Sequence, residues 1–254
     1  MIGPHARQPS EVSGGWPAMA YCLALDFSRF RIITFDCYGT LIDWETGILG
    51  AIRPILSAHN SHLEDAEILR MYGEIEADEE SGAYQSYKEI LRAVVLGFGA
   101  RLGFGPSENE QRSLANSLAN WTPFPDTVTA LRQLKQKFKL GILSNIDDEL
   151  FAATAPQLKT GFDHVVTASQ AGAYKPSPDI FRLAQKKIGL PAEQWLHAGQ
   201  SIYHDVIPAQ SMGIATVWVN RPSPLPNSGA AKPARGKPDV EVSSLKDLAD
   251  LMNK

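Results

Sequence analysis

The sequence is poor in cysteine, with only Cys22 and Cys37 among 254 residues. A disulfide framework needs more cysteines than this, and no Cys/His spacing typical of a zinc site accompanies the pair. No apolar run approaches the roughly 18 residues that a membrane-spanning helix requires. We therefore expect a protein of the reducing cytoplasm that has no membrane partner.

The sequence also lacks an excess of positive charge, since 24 Lys and Arg stand against 28 Asp and Glu and the net charge is −4. A nucleic-acid-binding domain usually presents a basic surface, so nucleic acid is not an expected partner. The length suits one large domain or a core with an inserted subdomain. A small-molecule substrate is the expected ligand.

The N-terminal residues 1–29 are rich in Pro, Ser and Gly at their start and predict a flexible extension. Their apolar run, 16–25, has about the length of a signal-peptide core. However, acidic Glu11 precedes the run and no small-residue cleavage pattern follows it. We therefore interpret the segment as an extension rather than an export signal.

Residues 31–36 have the short, apolar, β-branched character of a buried parallel strand. From residue 121 onward, predicted strands and helices alternate, which is typical of an α/β fold with a doubly wound parallel sheet and right-handed crossovers. The intervening stretch has helical spacing without a convincing strand. The predicted division is a Rossmann-like core at 30–45 and 121–254, and a helical cap at 46–120.

Polar residues stand where the predicted strands end, and a lysine precedes one of the predicted helices. Ligands of open parallel sheets bind at the carboxyl ends of the strands, so these distant residues are expected to meet there. They are Asp36, Ser144, Asn145, Lys175, Gln200 and Ser201.

Four short motifs occur in order: DCYGT (36–40), LSN (143–145), YKPSPDIF (174–181) and AGQSIYHD (198–205). Together with the helical stretch after the first motif, they make the chain resemble the haloacid dehalogenase superfamily over roughly residues 30 to 250. The (S)-2-haloacid dehalogenase, or type II, branch is the most similar. The resemblance implies a hydrolase with a Rossmann-like core and a helical cap.

The resemblance implies that Asp36 is a covalent nucleophile, a role in which a carboxylate attacks the substrate and forms an ester. Lys175 would hold developing negative charge and keep Asp36 ionised. Asp205 would orient the hydrolytic water or Lys175, with His204 as a candidate helper. Thr40 would hold the turn that follows the nucleophile.

Other positions are expected to bind the substrate. Ser144 and Asn145 would bind its carboxylate or the departing halide, although they could also cap the helix that follows. Arg70 is the candidate for the cap arginine that cradles the halide, although an exposed salt bridge is the ordinary role of such a residue. The predicted substrate-binding set is Tyr38, Ser144, Asn145, Arg70, Gln200 and Ser201.

Tyr38 bears on the choice of reaction. Phosphatases of the superfamily place at this position an aspartate that protonates the leaving alcohol, and general acid catalysis contributes roughly 10² to 10⁴ in rate. A halide leaves as a stable anion and needs no proton. Gln200 likewise replaces an aspartate that helps to bind Mg²⁺. We therefore predict conversion of a small 2-haloacid to a 2-hydroxy acid, with no metal or organic cofactor.

Two alternatives stay open. One is a Mg²⁺-dependent phosphatase of a small phosphometabolite, in which Asp36 and Asp205 would bind the metal. The other is a non-catalytic protein that keeps the fold and binds a partner. The fourth motif has Gln200 and Ile202 near positions where characterised dehalogenases have Ser and Asn, so how the hydrolytic water is held is also open. Since relatives often dimerise, a homodimer is compatible with the resemblance.

Overall fold

The computed structural model describes residues 25–225 and 229–253. Within these residues, six parallel strands form one sheet in the order β3-β2-β1-β4-β5-β6. The strands are β1 (Ile32–Phe35), β2 (Lys139–Ser144), β3 (His164–Thr167), β4 (Trp195–Gly199), β5 (Ala215–Val219) and β6 (Val240–Val242). The helices are α1 (Trp44–Ala58), α2 (Asp65–Glu80), α3 (Tyr87–Leu102), α4 (Glu108–Gln111), α5 (Ser113–Ser117), α6 (Thr127–Leu134), α7 (Asp148–Thr154), α8 (Ala168–Ala171), α9 (Pro178–Ile188), α10 (Ile207–Ser211) and α11 (Leu245–Met252). The predicted doubly wound α/β fold is confirmed.

Both faces of the sheet are covered by helices, and every residue of β1 and of β4 is accordingly buried. Successive residues of a strand point to opposite faces. Ile33 and Phe35 accordingly belong to one buried cluster, while Ile32 packs with Phe181 and Trp195 in the second. The sheet therefore separates two apolar layers.

The strand order reverses beside β1, which pairs with β2 on one side and with β4 on the other. The carboxyl ends of these three strands lie together, and the crevice at such a reversal is where open α/β sheets bind ligands. Asp36 follows β1 directly, and its backbone N–H donates to the Ala198 carbonyl of β4 at 3.0 Å. The nucleophile candidate therefore stands at the reversal point.

Helices α1 to α5 follow β1 without an intervening strand, and we call residues 44–120 the helical insert. The most extensive packing contact within it is between α2 and α3. A core residue, Asp147, ties the insert to the sheet, because its carboxylate accepts the backbone N–H groups of Tyr87 at 2.9 Å and Lys88 at 3.0 Å. This contact fixes the start of α3 next to the end of β2. The exact division into core and cap stays a prediction.

Two sequence expectations need comment. The predicted N-terminal extension lies outside the described residues except for 25–29, where Phe27–Arg29 form a 3-10 turn capped by Asp26. The predicted helix after β4 does not begin as an α-helix, because a π-helical turn, Ile202–Val206, precedes α10. That turn carries Asp205. None of the helices in the described part of the chain has the length and apolar character that crossing a bilayer requires.

Two glycines of α1 provide a matched test of packing between the insert and the core. A Cβ at Gly47 would overlap the buried Trp121 ring, whereas a Cβ at Gly50 would meet nothing within 4 Å. We expect Gly47→Ala to destabilise the protein by about 1–3 kcal/mol, the range for overpacking. Gly50→Ala should stabilise it by about 0.5–1 kcal/mol, because alanine is the better helix former. Urea unfolding of both variants measures the difference, and equal effects would contradict the packing described.

Candidate active site

A buried ammonium group joins the ends of the central strands. Lys175 Nζ lies 2.9 Å from Asp36 Oδ1, 2.6 Å from Asp205 Oδ1 and 3.0 Å from the carbonyl oxygen of Leu143. These three acceptors use all three N–H groups of the lysine. Lys175 is only 1% exposed, so the ammonium depends on them for stability in place of water.

The charges of this trio depend on each other. Burial opposes the charge of Lys175, but the neighbouring Asp205 and Asp36 carboxylates raise its pKa above the ordinary value. Burial would also raise the pKa of Asp205, yet Lys175 and His197 hold it well below the usual range. Burial raises the pKa of Asp36 and Lys175 opposes that shift. The result is an ionised Asp205 beside an Asp36 carboxylate that is more basic than usual.

The loop after β1 holds the second oxygen of Asp36. Thr40 Oγ1 donates to Asp36 Oδ2 at 2.9 Å and accepts the Gln200 backbone N–H at 2.9 Å. Gly39 has φ +86°, a left-handed conformation that glycine adopts without strain. Arg221 donates from two guanidinium nitrogens to the Thr40 carbonyl, at 3.2 and 2.9 Å. Arg221, which follows β5, thus holds the loop after β1 in place. No motif in the sequence pointed to this arginine.

Asp205 is held by its own turn and by the neighbouring strand. The Ser201 backbone N–H donates to Asp205 Oδ2 at 3.2 Å, and His197 Nε2 lies 3.2 Å from Oδ1. The other ring nitrogen of His197 lies 2.8 Å from Thr34 Oγ1, which accepts the Trp195 indole N–H at 2.7 Å. A chain of buried hydrogen bonds thus fixes the orientation of Asp205, and sequence reasoning had missed its His197 member.

A small cavity of about 40 Å³ opens at this trio. It lies between the strand ends and helices α2 and α3 of the insert. Its lining includes all but two of the residues that the sequence analysis singled out. The lining residues are Asp36, Tyr38, Trp44, Glu76, Glu80, Tyr87, Ser144, Asn145, Lys175, Gln200, Ser201, His204, Asp205 and Ala231. Thr40 lies behind Asp36, and Arg70 lies elsewhere.

Asn145 and Tyr38 have partners that limit what they can bind. Asn145 Oδ1 accepts the Lys175 backbone N–H at 2.7 Å, and its Nδ2 donates to the Lys175 carbonyl at 3.1 Å. Asn145 therefore holds the lysine loop. The Tyr38 hydroxyl lies 2.8 Å from Thr154 Oγ1, and the ring stands edge-on to Trp121. Tyr38 thus forms a wall of the cavity. The individual roles of the site residues stay predictions.

The prediction for Arg70 is wrong. Its guanidinium pairs with Glu74 at 2.7 Å, its side chain is about half exposed, and it lines a separate cavity of about 580 Å³. The buried face of α2 carries Leu69, Tyr72 and Glu76, so Arg70 points away from Asp36. The distance of Arg70 from Asp36 along the sequence suited a halide-binding role, but the turn of α2 places its side chain on the face opposite the cavity.

The insert instead directs two glutamates into the cavity. Tyr72, Glu76 and Glu80 are spaced by four residues and share one face of α2. Glu76 Oε1 accepts the hydroxyl of Tyr72 at 2.9 Å and that of Tyr87 at 2.5 Å. The two oxygens of Glu80 each lie 3.3 Å from Asn145 Nδ2. Sequence reasoning missed both glutamates, since an acidic helical run usually faces solvent.

Burial disfavours the ionised form of both glutamates. Removal from water raises the pKa of Glu76 to about 7. Burial also raises the pKa of Glu80 well above its ordinary value, and the charge of Glu76 adds to that shift. His204, whose Nε2 lies 3.8 Å from Glu80, has its pKa lowered to about 4 by burial. The insert therefore contributes one acid group, Glu76, that titrates near neutrality, and a second, Glu80, whose pKa is also raised.

A metal site would need ligands beyond Asp36 and Asp205. Both carboxylates are already bound by Lys175 Nζ. Within residues 25–225 and 229–253, no three side chains among His, Cys, Asp and Glu lie together in a way that could hold an ion. In the phosphatase alternative, Mg²⁺ would therefore have only Asp36 and Asp205 as carboxylate ligands among the described residues.

The doubly wound sheet thus places an Asp–Lys–Asp trio at the ends of its central strands. A family model described as haloacid dehalogenase-like hydrolase matches residues 30–213, which is more than half of the chain. The chain belongs to the haloacid dehalogenase-like hydrolases. The resemblance drawn from the four motifs is confirmed.

Individual relatives are distant but span nearly the whole chain. The (S)-2-haloacid dehalogenase H-109 of Pseudomonas putida is 26% identical over 224 residues, covering 86% of this chain and 96% of its own. The glyceraldehyde 3-phosphate phosphatase of Methanocaldococcus jannaschii is 23% identical over 212 residues, covering 80% and 86%. The solved L-2-haloacid dehalogenase of Xanthobacter autotrophicus has a TM-score of 0.74 at 22% identity, covering 88% and 98%.

The raised pKa of Glu76 predicts a pH-dependent penalty in stability. Between its ordinary value of 4.5 and about 7, the unfolded chain releases this proton while the folded protein keeps it, so stability falls as pH rises. Glu76→Gln removes the group and keeps an acceptor for both tyrosines. We expect the variant to be more stable by roughly 1–3 kcal/mol at about pH 8 and nearly unchanged at about pH 5.

Chemical unfolding at the two pH values measures this difference. Asp78→Asn, which removes an exposed carboxylate from the same helix, is the matched control and should not reproduce the pH dependence. A Glu76→Gln protein whose gain is equal at both pH values would show that Glu76 ionises normally in the folded state.

Proposed function

We propose that the protein is a hydrolytic dehalogenase that uses Asp36 as a covalent nucleophile. The observation that carries the proposal is the buried Asp36–Lys175–Asp205 trio beside a cavity in which Tyr38 is bonded to Thr154. The names of the haloacid dehalogenase relatives support the choice of a carbon–halogen bond. The reaction first to be tested is conversion of a small 2-haloacid to a 2-hydroxy acid.

In the first step, a carboxylate oxygen of Asp36 attacks the halogen-bearing carbon. A carbon–oxygen bond forms, the carbon–halogen bond breaks, and the halide leaves with the bonding electron pair. Lys175 and Thr40, which each bond one oxygen of Asp36, hold the carboxylate in one orientation. This orientation supplies the alignment that a displacement at carbon needs.

In the second step, water attacks the carbonyl carbon of the aspartyl ester. Asp205, which Lys175 and His197 keep ionised, accepts a hydrogen bond from the water and orients it, and one proton of the water passes to the departing alcohol oxygen. The second proton is released to solvent when Asp36 ionises again. His197 and Ser201 hold Asp205 for this role. The step regenerates Asp36 with one oxygen taken from the water.

The absence of an acid at position 38 fits this scheme. Burial raises the pKa of the Tyr38 hydroxyl well above its ordinary value, so the group is a poor proton donor. A departing halide does not need one. Tyr38 therefore contributes to the shape of the cavity, and the rate of the displacement depends on the alignment of Asp36.

A Mg²⁺-dependent phosphatase is the second candidate, and one observation favours it. Glu76 lines the same cavity with a pKa of about 7, so it is a group that could protonate a leaving alcohol in place of Tyr38. Asp36 and Asp205 would hold the metal. A non-catalytic binding protein is the third candidate, and the buried trio disfavours it because burying such charges stabilises a fold poorly.

Halide release from a panel of 2-haloacids in the presence of EDTA tests the dehalogenase. We expect release by the natural chain and by Asp78→Asn, and none by Asp36→Asn, because the amide is not a nucleophile. A single turnover in heavy-oxygen water should place the label in the Asp36 carboxylate and leave the product hydroxyl unlabelled. Mass spectrometry of the peptide that contains Asp36 reads the result.

Label in the product after one turnover would mean that water attacks the substrate directly, which contradicts the ester. Halide release that Asp36→Asn retains would contradict the nucleophile. Phosphate release that requires Mg²⁺ and is reduced in Glu76→Gln, without halide release, would establish the phosphatase instead.

A further inference from the structure

Among the described residues, those that line the candidate active site offer a surplus of acceptors and no cation that is free of partners. Four carboxylates line the cavity, those of Asp36, Glu76, Glu80 and Asp205. Lys175 is the one Lys or Arg among the described lining residues, and its three N–H groups are bonded to Asp36, Asp205 and the Leu143 carbonyl. A substrate carboxylate would therefore find no charged donor that is not already in use.

The two insert glutamates are poorly compensated. Glu76 is 5% exposed, and the two tyrosine hydroxyls that it accepts both lie on Oε1. Within the described part of the chain, Glu76 Oε2 accepts no hydrogen bond. The two oxygens of Glu80 share one side-chain donor, the Nδ2 group of Asn145, which lies 3.3 Å from each of them. Burying a carboxylate with so few donors is unfavourable, and a cationic ligand would offset that penalty.

A second, independent feature indicates that a polar ligand completes this cavity. Ser144 is 1% exposed and lines the cavity, and its hydroxyl has no hydrogen-bond partner among the residues that the structure describes. Since Ser113 Oγ is the one fully buried unpaired side-chain atom among the described residues, the Ser144 hydroxyl opens into the cavity, where a polar ligand can bond it. Ser144 ends β2 on the Lys175 side of the cavity, while the glutamates come from α2. The cavity thus offers a neutral donor at one wall and two carboxylates at another.

We infer that the substrate carries a protonated amine, which Glu76 and Glu80 bind while the reacting carbon faces Asp36. The inference rests on the proposed function for the reaction at that carbon. The substrate class is a compact halogenated compound with an ammonium group, such as an amino-substituted 2-haloacid. Its carboxylate, where present, is bound through the Ser144 hydroxyl.

A purely structural role for the two glutamates predicts a different effect of their substitution on ligand binding. If both were permanently protonated and only filled space, glutamine would replace them without effect on any ligand. An ammonium ligand instead stabilises their ionised forms, as an opposite charge close to a carboxylate does. The charged or titratable neighbours and polar contacts that face the pair are Lys175, Asp36, Tyr72, Tyr87, Asn145, Tyr174 and His204.

The test uses ligands that cannot react, so it does not depend on turnover. Propylammonium and propionate are titrated calorimetrically into the full chain in an amine-free buffer that contains EDTA. We expect saturable binding of propylammonium, weaker or no binding of propionate, and roughly tenfold or greater loss of propylammonium affinity in Glu76→Gln and Glu80→Gln. Asp78→Asn, the same charge change on the exposed side of α2, should bind propylammonium as the natural chain does.

Several results would overturn the inference. These are tighter binding of propionate than of propylammonium, no saturable binding of propylammonium, and an affinity that both glutamine variants retain. A further titration uses Mg²⁺ in a buffer without EDTA. Binding of Mg²⁺ that Glu76→Gln and Glu80→Gln weaken, without binding of propylammonium, would also overturn the inference, because the glutamates would then bind a metal ion and not an amine.

Halide release separates this inference from the proposed function. 3-Amino-2-chloropropionate should have a higher kcat/KM than 2-chloropropionate in the natural chain, and Glu80→Gln should reduce that preference mainly through KM. Propylammonium binding without halide release from either compound would contradict the dehalogenase and leave the ammonium site supported. Halide release with equal kcat/KM for both compounds would support the dehalogenase and contradict the ammonium site.

Discussion

The ammonium of Lys175 is the interaction on which the site depends. An ammonium that is almost fully buried is tolerated only when acceptors replace its water shell, and here they come from Asp36, Asp205 and the Leu143 carbonyl. These acceptors belong to the end of β1, the turn after β4 and the end of β2. One cation therefore brings together three chain segments that are far apart in sequence.

The sheet and most of its strand-end residues could be predicted because their signals are local. A buried strand that ends in a polar residue is visible in the sequence at Asp36, Ser144 and Gln200, and parallel strands bring such ends to one edge. The alternation of strand and helix after residue 121 also predicted the doubly wound parallel sheet that was found. No partner across the fold was needed for either inference.

The residues of α2 could not be assigned in this way. The helix has acidic residues on several sides, so helical periodicity alone does not reveal that Glu76 and Glu80 are buried while Arg70 is exposed. Packing against α3 and the core decides that phase. Arg221 and His197 escaped prediction for a related reason, because each acts on a residue that is distant in the chain.

Asp147 connects the insert to the same loop that holds the lysine. Its carboxylate caps α3 by accepting the N–H groups of Tyr87 and Lys88, and it lies two residues after Asn145, which bonds the Lys175 backbone in both directions. Separation of α3 from the core would break both caps beside that loop. Residues 145–147 therefore hold both the insert and the lysine loop, and the rate at which the Tyr87 and Lys88 amide protons exchange with solvent would report how firmly α3 is held against the sheet.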